Sequence, residues 1–338
     1  MDARATYLVT GGAGFIGSEL VRQLAARGER VVVVDNLVNG RRENLADVLS
    51  DRVELVVADV RDLDAVRPLL ADVCVVYHLA CLGVRHSLHS PVESHDVNAS
   101  ATLRLLGACR AAAVPRFVYV SSSEVYGTAR WAPMSETHPT FPTTVYGASK
   151  LAGECYTRAY HATYGYPTVV VRPFNAFGPR SHHEGDSGEV IPKFLLRSLA
   201  GKPMIVFGDG TQTRDFTFVS DTAAGILLAG EHDDAVGDTI NLGSGVELTI
   251  NELAAQIATL TGRPGGAAVE YDAPRPGDVL RLCADVTHAR EAIGYRPRVT
   301  LAEGLAALLA WYRSQAATPE QLLAHEIVHN WAVAPGSR

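Results

Sequence analysis

Short apolar runs rich in β-branched residues alternate with amphipathic stretches along the first half of the chain. Six such runs lie between residues 7 and 175: YLVT, VVVVD, VELVVAD, VCVVYHLA, RFVYVSS and TVVVRPFN. Helical patterns fall between them, at 18–28, 97–112 and 146–165. Near-continuous apolar runs are typical of parallel strands covered by helices on both faces, joined by right-handed crossovers. The pattern predicts an α/β fold built on a doubly wound parallel sheet.

The pattern changes near residue 178. After FGPR, residues 177–180, the chain loosens into SHHEGDSGEV, which is rich in glycine and charge, and the later elements are shorter and more mixed. We therefore predict a first domain over residues 1–178, rejoined by a returning segment near 214–243. A smaller mixed α/β domain is predicted over residues 179–338.

Composition and charge narrow the function classes. The 338 residues are 47% apolar and 20% charged, as in a globular protein with a sizeable core. A net charge of −7 without a basic stripe argues against nucleic-acid binding. No apolar run reaches the ~18 residues of a membrane span, and the N-terminus has no signal-peptide core. The five cysteines are scattered without metal-type spacing. We expect a cytoplasmic protein with reduced core cysteines.

The stretch TGGAGFIGSEL carries the first candidate chemistry. Gly11, Gly14 and Gly17 follow a predicted strand and open a helix, which allows a tight turn and close approach of a pyrophosphate to the backbone. Asp35 ends the second strand, where a carboxylate accepts both ribose hydroxyls of NAD and repels the extra phosphate of NADP. The order of strand, glycines, helix and acid predicts an NAD site. Asp59 ends the third strand. Its carboxylate either reaches the adenine of the cofactor or is solvated at the end of the strand.

A second candidate feature is the pair Tyr146 and Lys150 in VYGASK. Residues four apart share one helix face, so the ammonium can lie near the phenol. A phenol has an ordinary pKa of about 10, and an ammonium beside an oxidised nicotinamide lowers the pKa toward that of a usable base. Just upstream, SSSEVYG places hydroxyls beside the carboxylate of Glu124. This stretch is either a helix cap or a site that handles protons on a hydroxyl-rich substrate.

Two arginines are candidates for anion binding. Arg214 follows a glycine-rich turn in GDGTQTRDF, and Arg275 lies in the proline-stiffened loop YDAPRPGD. Guanidinium groups bind phosphates through bidentate contacts, so two of them in one cleft would clamp a diphosphate. Either arginine alone fits a surface ion pair equally well.

The segment HEIVH, residues 325–329, matches the pattern of a zinc protease. A catalytic zinc needs a third protein ligand, and the residues downstream, NWAVAPGSR, contain no suitable one. We therefore expect no metal site here. We interpret TPEQLLAHEIVHNW as a terminal helix whose apolar stripe is Leu322, Leu323, Ile327 and Trp331.

Taken together, TGGAGFIG, DN at 35–36, HLA at 78–80, SSSEVYG, YGASK and RPFNAFGPR resemble the extended short-chain dehydrogenase/reductase family. The resemblance extends to about residue 312 and is to the branch of nucleotide-sugar epimerases, dehydratases and decarboxylases. It implies a Rossmann-type domain with tightly held NAD and a smaller C-terminal domain over a sugar nucleotide. It also implies that the predicted helices at 97–112 and 144–164 pair in a homodimer.

Residue by residue, the resemblance implies that Tyr146 is the base, Lys150 holds the nicotinamide ribose and lowers the tyrosine pKa, and Ser122 binds the reacting hydroxyl, with Ser123 and Glu124 beside them. The implied cofactor contacts are Gly11, Gly14, Phe15, Ile16, Gly17, Asp35, Asn36, Asp59, Val60, Leu79, Ala80, Asn98, Ser121, Tyr146, Lys150, Pro173 and Phe174. The implied substrate contacts are Asn175, Arg180, Val190, Phe207, Arg214, Arg275, Asp278 and Leu282.

The family resemblance also bears on the reaction. In sugar 4,6-dehydratases the corresponding stretch is similar to STDEVYG, with an aspartate where this chain has Ser123. The resemblance therefore disfavours dehydration. UDP-glucuronate decarboxylases have a hydroxyl-Ser-Glu triplet that residues 122–124 match, which keeps that reaction open. The stretches DGTQTRDF and PRPGDVLRLCAD are more similar to those of 4-epimerases. We expect a UDP-sugar 4-epimerase acting through a 4-keto sugar, with a non-catalytic NAD-binding regulator as the contrasting class.

The identity of the sugar stays open among three UDP-sugar pairs: glucose/galactose, N-acetylglucosamine/N-acetylgalactosamine and glucuronate/galacturonate. Leu282 lies where a bulky tyrosine excludes N-acetyl groups in some relatives, although a core leucine is equally expected. Arg180 is placed either to face a 6-carboxylate or to anchor a loop.

Overall fold

A computed structural model describes residues 5–185, 187–262, 268–275, 278–329 and 331. The strands are β1 (Thr6–Thr10), β2 (Arg30–Asp35), β3 (Val53–Val57), β4 (Val73–His78), β5 (Arg116–Val120), β6 (Thr168–Pro173), β7 (Asn175–Phe177), β8 (Met204–Phe207), β9 (Thr213–Phe218), β10 (Thr239–Leu242), β11 (Glu247–Thr249) and β12 (Val269–Asp272). Seven of them form one parallel sheet in the order β10-β6-β5-β4-β1-β2-β3. The predicted Rossmann-type parallel sheet is confirmed.

Helices cover both faces of this sheet, and further helices pack against the smaller strands outside it. They are α1 (Phe15–Ala26), α2 (Leu63–Val66), α3 (Val84–His89), α4 (Pro91–His95), α5 (Ala101–Ala111), α6 (Val145–Tyr164), α7 (Val190–Leu199), α8 (Val219–Glu231), α9 (Ile250–Leu260), α10 (Thr287–Ile293), α11 (Leu301–Arg313) and α12 (Pro319–Leu322). Helix α6 ends at Gly165, which adopts the left-handed conformation with φ of 62°.

Strand alternation explains the two-sided core. Val9 packs in the cluster that contains Leu20 of α1 and Ile226 of α8. Its neighbour Leu8 packs in the cluster that contains Leu105 of α5. Successive side chains of a strand point to opposite faces, so a continuous apolar run buries both sides of the sheet. This is why the strands read as unbroken apolar runs rather than as alternating ones.

The seventh strand, β10, lies far along the chain and pairs with β6, with Ile240 opposite Val171. The remaining strands lie between β6 and β10 in the sequence or after β10. They form two smaller sheets, in the orders β11-β9-β7 and β12-β8. They share a third apolar cluster with α7, α9 and α11, which includes Phe194, Leu253 and Leu308. The division into domains at residue 178 stays a prediction.

The predicted terminal helix was wrong beyond α12. The chain leaves helical geometry after Leu322, and Glu326 forms a β-bridge with Gly185. Tertiary contacts outweigh the apolar periodicity, because Lys193 donates to the Ile327 carbonyl at 2.9 Å and Arg197 pairs with Glu326 at 2.7 Å. The two histidines of HEIVH therefore do not share a helix face.

Two further observations concern the described residues. No group of three or more His, Cys, Asp or Glu side chains among them is arranged to hold a metal ion, and none of their helices is long and apolar enough to cross a membrane. All five cysteines are free thiols. Cys155 is exposed on α6, so the expectation that the cysteines are core residues was wrong for that one.

Candidate active site

The glycine-rich loop joins β1 to α1 in a tight turn where two of its glycines leave no space for a side chain. Gly11 has φ of 69°, and a Cβ there would lie 2.7 Å from the Ala80 nitrogen. A Cβ on Gly17 would lie 2.2 Å from the Gly11 carbonyl oxygen. Helix α1 starts after Gly14 with no side-chain cap and no acidic residue in its first turn. Its free amides and helix dipole therefore favour a bound pyrophosphate.

Asp35 ends β2 beside this loop and is buried. Its carboxylate accepts the Ala13 amide at 2.9 Å and the Leu37 amide at 2.8 Å. Burial raises the pKa of Asp35, and the two amide hydrogen bonds oppose that shift. The two amides orient the carboxylate, whose other lone pairs are suited to two ribose hydroxyls.

The Asp59 side chain is bound to protein groups. Arg61 donates to both of its carboxylate oxygens, at 2.9 and 2.8 Å, and Asn36 donates to one of them at 2.9 Å. The Arg61 hydrogen bond is the largest influence that lowers the pKa of Asp59, to about 2. The carboxylate thus anchors the loop after β3.

Helix α6 carries the Tyr-Lys pair. Thr144 caps the helix by accepting the Gly147 amide at 3.0 Å, which sets Tyr146 in the first turn and Lys150 one turn later. The buried Lys150 ammonium donates to the Val120 carbonyl at 2.5 Å and lies 4.7 Å from the centre of the Tyr119 ring. Burial lowers the pKa of Lys150, while Cys81 and Glu154 oppose that shift.

The Tyr146 hydroxyl faces Ser122. Burial raises the pKa of Tyr146, Cys81 raises it further, and the hydrogen bond with Ser122 lowers it. Ser122 also accepts the Glu124 amide at 3.2 Å and so caps the short turn at Ser123–Val125. The hydroxyl-rich stretch is both a helix cap and part of the site. One serine positions the Glu124 backbone and contacts the candidate base.

Glu124 points toward the charged end of the site. Burial raises the pKa of its carboxyl group, and the charge of Asp278 adds to this, while Arg214 and Arg85 act in the opposite direction. Arg214 pairs with Asp278 at 2.7 Å. A carboxyl group with a raised pKa is a candidate for proton exchange with a bound substrate.

Arg275 lies over the Phe207 ring, with its guanidinium carbon 4.4 Å from the ring centre. Burial lowers the pKa of Arg275 to about 10. Its Nε and the Oδ1 atom of Asn175 are buried without a hydrogen-bond partner in the described part of the chain. Buried polar atoms are usually paired, so these two atoms indicate a polar ligand. Phe207 itself is buried, and Arg275 covers one part of its ring.

A single cavity of about 690 Å³ connects these groups. The predicted residues that line it are Gly11, Gly14, Phe15, Ile16, Gly17, Asp35, Asn36, Asp59, Val60, Leu79, Ala80, Ser121, Ser122, Ser123, Glu124, Tyr146, Lys150, Pro173, Phe174, Asn175, Val190, Phe207, Arg214, Arg275 and Asp278. Both arginines proposed as a diphosphate clamp therefore face the cavity that also holds the glycine-rich loop and Tyr146.

Three predicted residues do not line the cavity. Asn98 binds the backbone of Leu82 through its amide, at 2.8 and 3.0 Å, and so holds a cavity loop from behind. Arg180 donates to Glu19 at 2.5 Å and to Ser18 at 3.1 Å, which anchors its loop to α1. Leu282 is fully buried in the core cluster of the large sheet. Neither the carboxylate role of Arg180 nor the gating role of Leu282 agrees with these positions.

Sequence reasoning missed several charged residues of the cavity: Arg85, Glu189, Lys193, Arg197 and Glu326. Lys193 and Arg197 share a face of α7 with Val190, which the sequence analysis had singled out, so their spacing of four was a usable signal. Burial raises the pKa of Glu189 to about 8 and lowers that of Lys193 to about 8. Glu326 had no signal, because its segment resembled a helix.

Comparison with known proteins agrees with this geometry. A family model described as GDP-mannose 4,6 dehydratase matches residues 8–308. The chain is 41% identical over 313 residues to a UDP-glucose 4-epimerase of Mycolicibacterium smegmatis, covering 91% of this chain and 98% of that one. It is 35% identical over 319 residues to UDP-glucuronic acid decarboxylase 1 of Arabidopsis thaliana, covering 92% and 71%.

The dTDP-glucose 4,6-dehydratase DesIV of Streptomyces venezuelae, solved with NAD bound, superposes with a TM-score of 0.86 at 35% identity, covering 91% of this chain and 97% of that one. The chain belongs to the extended short-chain dehydrogenase/reductase family, in its nucleotide-sugar epimerase and dehydratase branch. It is an enzyme of this superfamily whose cofactor is NAD. The uncapped amides of α1 and the oriented carboxylate of Asp35 fit that cofactor.

Proposed function

We propose that the protein is an NAD-dependent UDP-sugar 4-epimerase acting through a transient 4-keto sugar. The observation that carries this proposal is the Tyr146–Ser122 contact in the cavity that also holds Arg214, Arg275 and the glycine-rich loop. A base, a hydroxyl partner and a diphosphate clamp are the groups that reversible oxidation of a sugar hydroxyl requires.

In this proposal, Tyr146 takes the proton of the sugar 4-hydroxyl and returns it after the ring has turned. Ser122 donates a hydrogen bond that stabilises the phenolate and then holds the 4-oxygen in place. The Lys150 ammonium, one helical turn after Tyr146, lines the same cavity, where the family resemblance implies that it holds the nicotinamide ribose. Bound NAD supplies the acceptor and donor of hydride. Arg214 and Arg275 keep the diphosphate bound while the sugar presents its other face.

The carboxyl groups favour epimerisation over 4,6-dehydration. Ser123, rather than an acid, lies next to Glu124, and the nearby carboxylate Asp278 is paired with Arg214. Dehydration needs one group to donate a proton and another to remove one. The stretch at residues 122–124 supplies one carboxyl group, that of Glu124. Epimerisation requires neither a second acid nor a second base.

UDP-glucuronate decarboxylation is the second candidate. The 35% identity to a plant decarboxylase over 319 residues supports it, as does the Ser-Ser-Glu triplet at 122–124. This reaction oxidises the same hydroxyl and then loses carbon dioxide from the 4-keto uronate. Glu124 would lie beside that step.

A panel of UDP and dTDP sugars followed by proton NMR tests these alternatives. The panel covers glucose, N-acetylglucosamine and glucuronate with their 4-epimers. We expect interconversion of at least one UDP pair, and a strongly lowered rate for Tyr146→Phe. Release of carbon dioxide with a pentose nucleotide would support the decarboxylase instead. A 4-keto-6-deoxy product alone would contradict the argument from Ser123. A wild-type protein that turns over nothing would favour an NAD-binding regulator.

We further propose a cytoplasmic homodimer that pairs α5 and α6. Exposed apolar side chains on this side of the described chain include Val92, Leu103 and Tyr164, and Arg110 lies 4.2 Å from the Tyr164 ring centre. Such side chains are suited to an apolar interface. Light scattering coupled to gel filtration tests the dimer, and a monomeric mass would contradict it.

A further inference from the structure

The residues after α12 return to the cavity. We call residues 325–329 together with Trp331 the C-terminal strap. The Gly185 amide donates to the His325 carbonyl at 3.0 Å, and Lys193 donates to the Ile327 carbonyl at 2.9 Å. These backbone contacts place Glu326 and Val328 of the strap among the cavity-lining residues. The strap lies beyond residue 308, where the match to the family model ends.

The strap also carries an ion pair into the wall. Glu326 and Arg197 pair at 2.7 Å, and their side chains are only 9% and 11% exposed. Lys193, Arg197 and Arg275 line this end of the cavity, and the Glu326 charge acts on Lys193 as well. Glu326 therefore offsets part of the positive charge that would otherwise face a bound anion. A pair this buried holds the strap against α7.

The end of the strap completes a cluster of aromatic rings. His329 bonds Asp272 at 2.7 Å, and Asp272 lies opposite Phe207 in the β12–β8 pairing. The Trp331 ring lies 4.7 Å from the Phe207 ring and perpendicular to it. Arg275 lies over both rings, 4.4 Å from Phe207 and 5.5 Å from Trp331. Trp331 thus packs against two cavity residues: Arg275, which the proposed function assigns to the diphosphate, and Phe207, which the family resemblance implies to be a substrate contact.

We propose that the C-terminal strap is part of the nucleotide-binding wall and that Trp331 is a positioning residue for a nucleoside diphosphate. It fixes the Phe207 ring and the Arg275 guanidinium in the arrangement that receives the ligand. This inference rests on the proposed function for the class of ligand. It adds a binding element beyond residue 308, where the match to the family model ends.

The test uses full-length, NAD-loaded protein and UDP itself as the probe, measured by calorimetry. Loss of an edge-to-face contact and a cation–π contact in Trp331→Ala is expected to weaken UDP binding about tenfold. Trp331→Phe retains a ring and is expected to stay within roughly threefold of the wild type. The matched control is Trp131→Ala, which removes a tryptophan that is 51% exposed and does not line the cavity. The control is expected to bind UDP like the wild type.

Two further readouts separate positioning from a loss of folding. The chain has three tryptophans, so a change in fluorescence on UDP binding is expected in the wild type and in Trp131→Ala, and is expected to shrink strongly in Trp331→Phe. With a turned-over UDP sugar, KM is expected to rise about tenfold in Trp331→Ala while kcat changes by less than roughly twofold. A general loss of structure would instead lower the NAD content and kcat.

Equal UDP affinity of Trp331→Ala and the wild type would overturn the strap proposal and leave the epimerase proposal intact. Weaker UDP binding by Trp331→Ala supports the strap even if no sugar in the panel turns over. A wild-type protein that does not bind UDP would overturn the ligand assignment of the strap together with the proposed function.

Discussion

Replacing Asp35 by asparagine tests the candidate NAD site at the carboxylate that two backbone amides orient. The change preserves the size of the side chain and removes its charge. In the wild type the carboxylate accepts two backbone amides, at 2.9 and 2.8 Å, and has lone pairs left for two ribose hydroxyls. In Asp35→Asn one of those two amides must face an NH₂ group, because the side chain has a single acceptor oxygen.

The magnitude follows from hydrogen-bond energies. A hydrogen bond to a charged group is worth about 1.5–3 kcal/mol and a neutral one about 0.5–1.5 kcal/mol. Two ribose hydrogen bonds that change from charged to neutral therefore cost about 2–3 kcal/mol, or roughly 30- to 150-fold in NAD affinity. The backbone amide that faces the asparagine NH₂ group loses its acceptor, which lowers the free energy of unfolding by about 1–3 kcal/mol in addition. The asparagine does not repel a 2′-phosphate, so the preference for NAD over NADP should narrow.

Calorimetric titration of the apoprotein with NAD and with NADP measures both effects, and urea unfolding measures the loss of stability. The control is Asp47→Asn, which removes a carboxylate that is 65% exposed and paired with Arg22. It is expected to bind NAD like the wild type. A loss of less than roughly threefold in Asp35→Asn would refute the assignment of Asp35 to the ribose. An equal loss for NAD and NADP would refute the repulsion argument.

Three further predictions concern catalysis, acid sensitivity and the core. Tyr146→Phe should lower kcat about 10²- to 10⁴-fold while the protein keeps its NAD, and undiminished turnover would exclude Tyr146 as the base. Burial lowers the pKa of His78 from 6.5 to about 3. In acid the folded state therefore keeps this histidine neutral while the unfolded state protonates it below about pH 6.5, so the free energy of unfolding decreases as the pH is lowered. Between about pH 7.5 and pH 5 the contribution of this one histidine lowers the free energy of unfolding by about 2 kcal/mol, and an NMR titration of His78 with an ordinary midpoint would contradict it. Arg172→Met removes the buried partner of the fully buried Glu154, at 2.7 Å, and leaves the carboxylate with Arg158, which is 37% exposed, at 2.9 Å, so the change should cost about 3 kcal/mol. The exposed Arg281→Met should leave the free energy of unfolding unchanged, and equal effects would show that burial is not the cause.

The sequence predicted six strands of the seven-stranded sheet because each is a mostly apolar run, and that local pattern does not depend on distant residues. It also predicted most of the cavity. Chain order places the glycine-rich loop, Asp35 and the ends of β4 and β5 at the same edge, since parallel strands share the direction of their carboxyl ends. Asn98 lies next to the cavity as predicted, but it does not line the cavity, because its side chain binds the backbone of Leu82 from behind.

Side-chain direction and long-range pairing decided the remainder. Arg180 precedes a charged loop in the sequence, but only the fold brings Glu19 of α1 within 2.5 Å of it. Leu282 lies four residues after Asp278, yet the path of that loop turns it into the core.

The terminal segment separates most clearly what each level determined. By itself, the sequence determined the parallel sheet, the dinucleotide loop and the Tyr146–Lys150 pair, since local periodicity and fixed spacing encode these features. The apolar spacing of Leu322, Leu323, Ile327 and Trp331 also favoured a helix. Only the tertiary structure decided that the segment extends along Lys193 and Arg197 to reach Phe207. Buried polar groups must be paired, and those partners lie more than a hundred residues away in the chain.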